Sequence, residues 1–246
     1  MIIISYPTKL KFENMTITIR ISLGFIILIL LTTSCTKKND WVRYSLHGKV
    51  KSCYETYYEA ENKFGEWTNG DISYYNHNRV SFTNNGVYGG TEYFDDEGKL
   101  NSKSIPKYED GSRIGECQYD QDGKLIGKTK INHISSKVIE IISYDESGRT
   151  MSKGRSFLKK NLFTGGDYET FDNGKLTGKS KTIIVHDQNG NIQSWQVIDE
   201  KGQEKYFLRY EYLEFDKMHN WIKRITFNSK NSNKPEDFVI REIVYF

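Results

Sequence analysis

From about residue 41 onward, apolar and polar positions alternate with an imperfect period of two, and no stretch carries the i, i+3, i+4 spacing of an amphipathic helix. Val138-Ile139-Glu140-Ile141-Ile142-Ser143-Tyr144, Tyr206 to Phe215 and Phe238 to Phe246 are rich in β-branched and aromatic residues, which pack well on a pleated surface. Between such runs one turn recurs. It places an aromatic residue before an Asp, then two polar residues, a Gly, and a basic or apolar residue. The clearest copies are Phe94-Asp95-Asp96-Glu97-Gly98-Lys99-Leu100, Tyr119-Asp120-Gln121-Asp122-Gly123-Lys124-Leu125 and Tyr144-Asp145-Glu146-Ser147-Gly148-Arg149. Phe171-Asp172-Asn173-Gly174 is a shortened copy, and looser ones contain Asp187-Gln188-Asn189-Gly190, Asp199-Glu200-Lys201-Gly202 and Asp216-Lys217-Met218-His219.

The chemistry of this unit is that of a hairpin turn. An Asp side chain accepts backbone N–H bonds at the start of a type I turn, and Gly fills the left-handed position that closes a three-residue loop. Gly98, Gly123, Gly148, Gly174, Gly190 and Gly202 are therefore the predicted turn residues, and Asn173-Gly174 and Asn85-Gly86 read as two-residue hairpins with both residues at positive φ. Gly86, Gly98, Gly111 and Gly123 are separated by 12, 13 and 12 residues, which leaves strands of about eight residues. The longer gaps leave room for unmarked turns near Ser135-Ser136 and Asn161. The pattern predicts an all-β fold: an antiparallel meander of repeated β-hairpins, roughly twelve to sixteen strands, forming one long curled sheet, open or half-barrel. In such an open sheet Cys53 and Cys117 lie about five strands, or roughly 24 Å, apart, too far for a disulfide.

The N-terminus follows a different pattern. Lys9, Lys11 and Arg20 precede an apolar run from Ile21 to Leu31, the layout of a secretory signal. As a helix this run spans about 16 Å, against about 30 Å of hydrocarbon, so it is too short to cross a membrane. Met15 to Cys35 is by itself a complete signal of normal length. Leu31-Thr32-Thr33-Ser34-Cys35 resembles the lipobox of bacterial lipoproteins, with Leu31 one place further from the cysteine than usual. That resemblance implies acylation at Cys35. It divides the chain into a lipoprotein signal peptide (1–34), a short tether (35–40) and a single β-hairpin repeat domain (41–246).

Composition narrows the function. The chain is 37% hydrophobic, 14% aromatic and 27% charged, with 3 Pro, which excludes disordered and Pro-rich classes. A net charge of +3 is too balanced for nucleic-acid binding. Lys9, Lys11, Arg20 and Glu13 all fall in the first 35 residues, so the remainder is nearly neutral.

The aromatic-Asp-x-x-Gly unit resembles the YD (RHS-type) repeat, and the segment from Tyr210 to Arg224 is its closest copy, with His219 where the repeat carries Gly. Gly48 to Cys53 and Tyr58 to Gly65 resemble the opening of Bacteroidetes lipoproteins carrying such repeats. The resemblance implies a β-hairpin array and supplies no catalytic residues.

Candidate chemistry is sparse. Twelve residues into a calcium loop, a bidentate Glu is required, but Ile131 and Ile198 stand there when counted from Asp120 and Asp187. His47, His77, His133, His186 and His219 show no zinc-binding spacing. Ser156-Phe157-Leu158-Lys159 lacks the partner motifs of Ser-x-x-Lys enzymes. No catalytic residues, metal site or cofactor are therefore assigned. Trp195 and Trp221 are the candidate binding aromatics, for a protein or glycan ligand. The expected role is a non-catalytic binding or scaffolding module, attached to the membrane by its lipid anchor, in the cell envelope at the outer membrane facing the periplasm, with exposure at the cell surface as the alternative. The alternatives are an immunity-like or toxin-associated partner and, third, a glycan-active enzyme.

Overall fold

A computed structural model describes residues 40–73 and 77–246. The signal segment, Met15 and Cys35 lie outside the described residues. The described residues open with a 3₁₀ helix, Asp40–Tyr44, and continue as fifteen strands: β1 (Val50–Lys63), β2 (Glu66–Ile72), β3 (His77–Phe82), β4 (Tyr88–Phe94), β5 (Leu100–Glu109), β6 (Ser112–Asp120), β7 (Leu125–Ser135), β8 (Val138–Asp145), β9 (Thr150–Lys159), β10 (Leu162–Asp172), β11 (Lys175–His186), β12 (Ile192–Asp199), β13 (Glu204–Phe215), β14 (Trp221–Phe227) and β15 (Asp237–Tyr245). From β3 to β15 each strand pairs antiparallel with the next in sequence, so the meander forms a single sheet.

That sheet does not stay open. β1 pairs with β15 from Val50↔Tyr245 to Glu59↔Asp237, and with β3 on its other side from Ser52↔Ser81 to Glu55↔Asn78. The result is a closed antiparallel barrel of fourteen strands, in place of the open or half-barrel sheet predicted from the spacing. The physical reason is edge satisfaction. An open sheet exposes two rows of unpaired N–H and C=O groups, and closure removes both at once. β2 is the fifteenth strand. It extends the outer part of β1 as a hairpin, pairing from Tyr58↔Ile72 to Lys63↔Glu66.

The turns are built as repeated units. At Asp95, Asp120, Asp145, Asp187, Asp199 and Asp216 the backbone N–H bonds to the carbonyl four residues on, and the N–H of the residue three places on returns to the Asp carbonyl. In five of the six the carboxylate also accepts from the N–H groups two and four residues ahead, as Asp120 does from Asp122 (3.0 Å) and Lys124 (2.8 Å). Gly98, Gly123, Gly148, Gly190 and Gly202 occupy the left-handed position at φ 77°, 80°, 84°, 87° and 79°. Asn173 (48°) and Gly174 (76°) form a two-residue turn, as do Asp110-Gly111 and Lys160-Asn161. Asn85-Gly86 does not. Only Gly86 has positive φ, and the loop is closed by Thr83 N–H to the Val87 carbonyl at 2.9 Å.

Gly123 has open space where a Cβ would stand, so its requirement is purely conformational. Gly123→Val is expected to destabilise the fold by about 1–3 kcal/mol, whereas Asp122→Asn should stay within about 0.5 kcal/mol. Urea unfolding midpoints of the two variants check this, and equal midpoints would contradict the turn assignment.

Candidate functional site

Fourteen strands at about 4.8 Å spacing give a circumference of about 67 Å and a diameter of at least about 21 Å, wider than side chains from facing walls can span. The interior must therefore be filled by something else or remain a cavity. Residues 40–49 do the filling at one end. Asp40 N–H bonds to Gly86 O (2.7 Å) and its carboxylate accepts from Tyr88 N–H (2.9 Å), while Ser45 Oγ donates to Gly190 O (2.6 Å). The backbone N–H of His47 donates to Asn220 Oδ1 (2.6 Å), and Asn220 Nδ2 returns a bond to His47 O (2.9 Å). These partners sit on the turns that end β3, β11 and β13, so the segment crosses one mouth of the barrel. Trp41 and Leu46 anchor it in a buried cluster with Val50, Cys53, Val80, Phe82 and Tyr88.

The plug identifies the inward face, and strand register extends that assignment around the wall. On β1, β13, β14 and β15 the inward row contains Glu55, Tyr57, Tyr210, Tyr212, Arg224 and Arg241. Arg241 donates from Nε (3.1 Å) and Nη2 (2.5 Å) to Glu55, and Tyr57 OH donates to the other carboxylate oxygen (2.9 Å). The two charged side chains are only 8% and 14% exposed. Trp221, one of the two candidate aromatics, is 2% exposed and lies under this network: the Arg241 guanidinium sits 3.5 Å and that of Arg224 4.6 Å from its ring centroid. It is a packing residue. Trp195 faces inward by its pairing with Ile184 and Leu208, yet is 38% exposed, so water enters the lumen beside it. The structure does not bring the two tryptophans into one site.

Opposite the ion pair the plug leaves a cavity of about 470 Å³, lined by Arg43, Tyr44, Arg113, Glu116, Thr129, Ile131, Ile139, Ile141, Ser143 and Phe163. Four apolar side chains form one side. At the other, Arg113 lies 4.2 Å from the Tyr88 ring centroid and is paired with Glu116. An apolar chamber with a few convergent polar groups is the ordinary form of a small-molecule site. No sequence motif marks it, because Arg113, Ile139 and Phe163 come from three separate strands of one wall sector and Tyr44 reaches them from the plug.

The outer wall is of a different character. Glu140, Arg155, Asp167 and Lys181 stand directly opposite one another across β8 to β11, a row of alternating charge at mid-strand. Lys153–Glu140 (3.3 Å) and Lys179–Glu169 (3.1 Å) pair within the same lattice, which lines an outer recess of about 530 Å³. A lipid-facing barrel carries an apolar belt, and each Lys or Arg at mid-bilayer costs about 2–4 kcal/mol. This sector of wall is built to face water.

Cys53 and Cys117 are both free and buried. Cys53 belongs to the plug cluster, whereas register places Cys117 outward beside Lys128, so the wall itself separates them. Burial pushes the Cys53 thiol up to about 12, which leaves it unreactive. Among the described residues, no three His, Cys, Asp or Glu side chains converge as a metal site.

No known family profile matches the chain, and no curated protein matches it. Among solved structures it is similar to a porin-like protein from Bacteroides uniformis, with 10% identity over 79% of this chain and 98% of that one and a TM-score of 0.39. A likeness at that level carries no argument about function.

Burial acts to raise the pKa of Glu55, but the Arg241 and Arg224 charges and hydrogen bonds from Arg241 and Tyr57 outweigh it and hold the carboxyl at about 2, below its ordinary 4.5. A depressed carboxyl pKa contributes stability that is complete above 4.5 and is lost as pH falls toward 2. Glu55→Gln is expected to cost about 3–5 kcal/mol at pH 7, because it leaves buried guanidinium charge uncompensated. Unfolding measured from pH 7 to pH 2.5 should show the gap between wild type and variant narrowing at the acid end. A constant gap would contradict the ion-pair account.

Proposed function

We propose that this chain is a non-catalytic binding barrel of the cell envelope, anchored by a lipid on Cys35, that holds a small apolar molecule in its lumen. The observation that carries the reading is the half-open chamber between the plug and β6 to β10, with Ile131, Ile139, Ile141 and Phe163 among its lining. The chamber falls within the size range of ligand pockets, about 300–1,000 Å³. The charged outer wall supports attachment through an anchor in preference to insertion of the barrel itself. The aromatic-Asp-x-x-Gly turns support placing the chain among YD-like hairpin arrays, here closed on themselves without room for a guest domain.

Two measurements test the two halves of this proposal. N-phenyl-1-naphthylamine, a neutral apolar fluorophore, is expected to bind saturably at one site per chain. Ile141→Trp should fill the chamber and abolish binding with little change in melting temperature. Absence of saturable binding to the wild type would overturn the lumenal reading. Separately, Cys35→Ser is expected to move the protein from the detergent phase to the aqueous phase on Triton X-114 partitioning, and unchanged partitioning would overturn acylation at that residue.

A further inference from the structure

The plugged rim holds a second, smaller recess of about 460 Å³, lined by His47, Asn189, Phe215, Met218 and His219. It lies outside the lumen and plays no part in the binding role proposed above. We propose that it is a site for monovalent copper, with the imidazoles of His47 and His219 and the thioether of Met218 as ligands.

The first observation is conformational. Five of the six Asp-led turns carry Gly at the left-handed position, while the sixth carries His219, at φ 64°. That turn keeps the same backbone bonds, Asp216 N–H to Asn220 O (2.8 Å) and His219 N–H to Asp216 O (3.0 Å). A glycine would serve this turn at least as well, so the turn itself does not call for an imidazole. The imidazoles of His47 and His219 are both exposed on this rim, open to a ligand from solvent.

The second observation is placement. Asn220, fully buried at 0% exposure, follows His219 in sequence and clamps the backbone of His47 through both its amide atoms. One buried side chain thus fixes both histidine backbones. Met218 approaches from the other direction: its Cε lies 2.9 Å from where a Cβ on Gly48, the residue next to His47, would stand.

The third is chemical. The neighbouring carboxylates are committed elsewhere: Asp216 to the Met218 and Asn220 N–H groups and the Tyr245 hydroxyl, Asp187 to the Asn189 and Asn191 N–H groups and the Asn191 side chain. The recess thus offers two imidazoles and a thioether beside Asn189 and Phe215, with no carboxylate in its lining. A soft donor set of this kind selects Cu(I) over Mg²⁺, Ca²⁺ or Mn²⁺.

The test is an anaerobic titration at pH 7, in which Cu(I) is partitioned between the purified protein and the chromophore bicinchoninate. The wild type is expected to withdraw one Cu(I) per chain. His219→Gly relaxes the turn, so it should raise the melting temperature while weakening Cu(I) binding at least tenfold, a combination that damage to the fold cannot produce. Met218→Leu should weaken Cu(I) at least tenfold, and Cys117→Ser should leave it unchanged. The proposal is overturned if the wild type withdraws no copper, if His219→Gly or Met218→Leu binds like the wild type, or if uptake disappears with Cys117.

Discussion

The nine-residue overlap of β1 with β15 is the contact on which the rest of the molecule depends. It joins the first strand to the last, pairs both remaining edges of a wide sheet, and converts one face into a lumen. The ion pair of Glu55 with Arg241 bridges that seam directly, and Trp221 packs beneath it. With the seam open, the same residues would be solvated, the pair would contribute little, and the plug would have only one wall to pack against. Closure thus creates the low-dielectric interior in which charge and aromatic contacts acquire weight.

Local and global structure draw on different sequence information. The Asp-led turns are legible because each is made within five residues: the Asp carboxylate finds its N–H partners two and four positions on, and the left-handed residue follows at a fixed offset. Strand number and order follow from those turns, since short hairpins force neighbours in sequence to be neighbours in space. The seam has no such signature. Cys53 and Ile243 face each other across it with nothing local in either segment to announce the pairing. The sheet spacing alone therefore led to an open form, which the β1–β15 register corrects.

The same distinction governs the sites. Glu55, Arg224 and Arg241 read along the chain as ordinary charged strand residues, because only the inward register and the closed wall bury them. Among the tryptophans, Trp221 supports an ion pair while Trp195 lines the wet part of the lumen, a division that composition does not contain. His47 and His219 show no ligand spacing in sequence, and line one recess because Asn220 ties the plug to a turn at the far end of the chain. His219 does carry one visible mark, as the single side chain standing where the sister turns have Gly, and there the repeat itself points to a position with another purpose.

The central claim is that the barrel is closed between β1 and β15, and cross-linking tests it most directly. Tyr54 and Glu242 are directly opposed across the seam. A Tyr54→Cys, Glu242→Cys variant, with Cys53 and Cys117 changed to Ser, should form an intramolecular disulfide on mild oxidation of the folded monomer, because opposed Cα atoms fall within the about 7 Å that a bridge requires. Full recovery of two alkylatable thiols from the oxidised, folded monomer would mean that the seam is not formed, and would contradict the closed barrel and the lumen built on it.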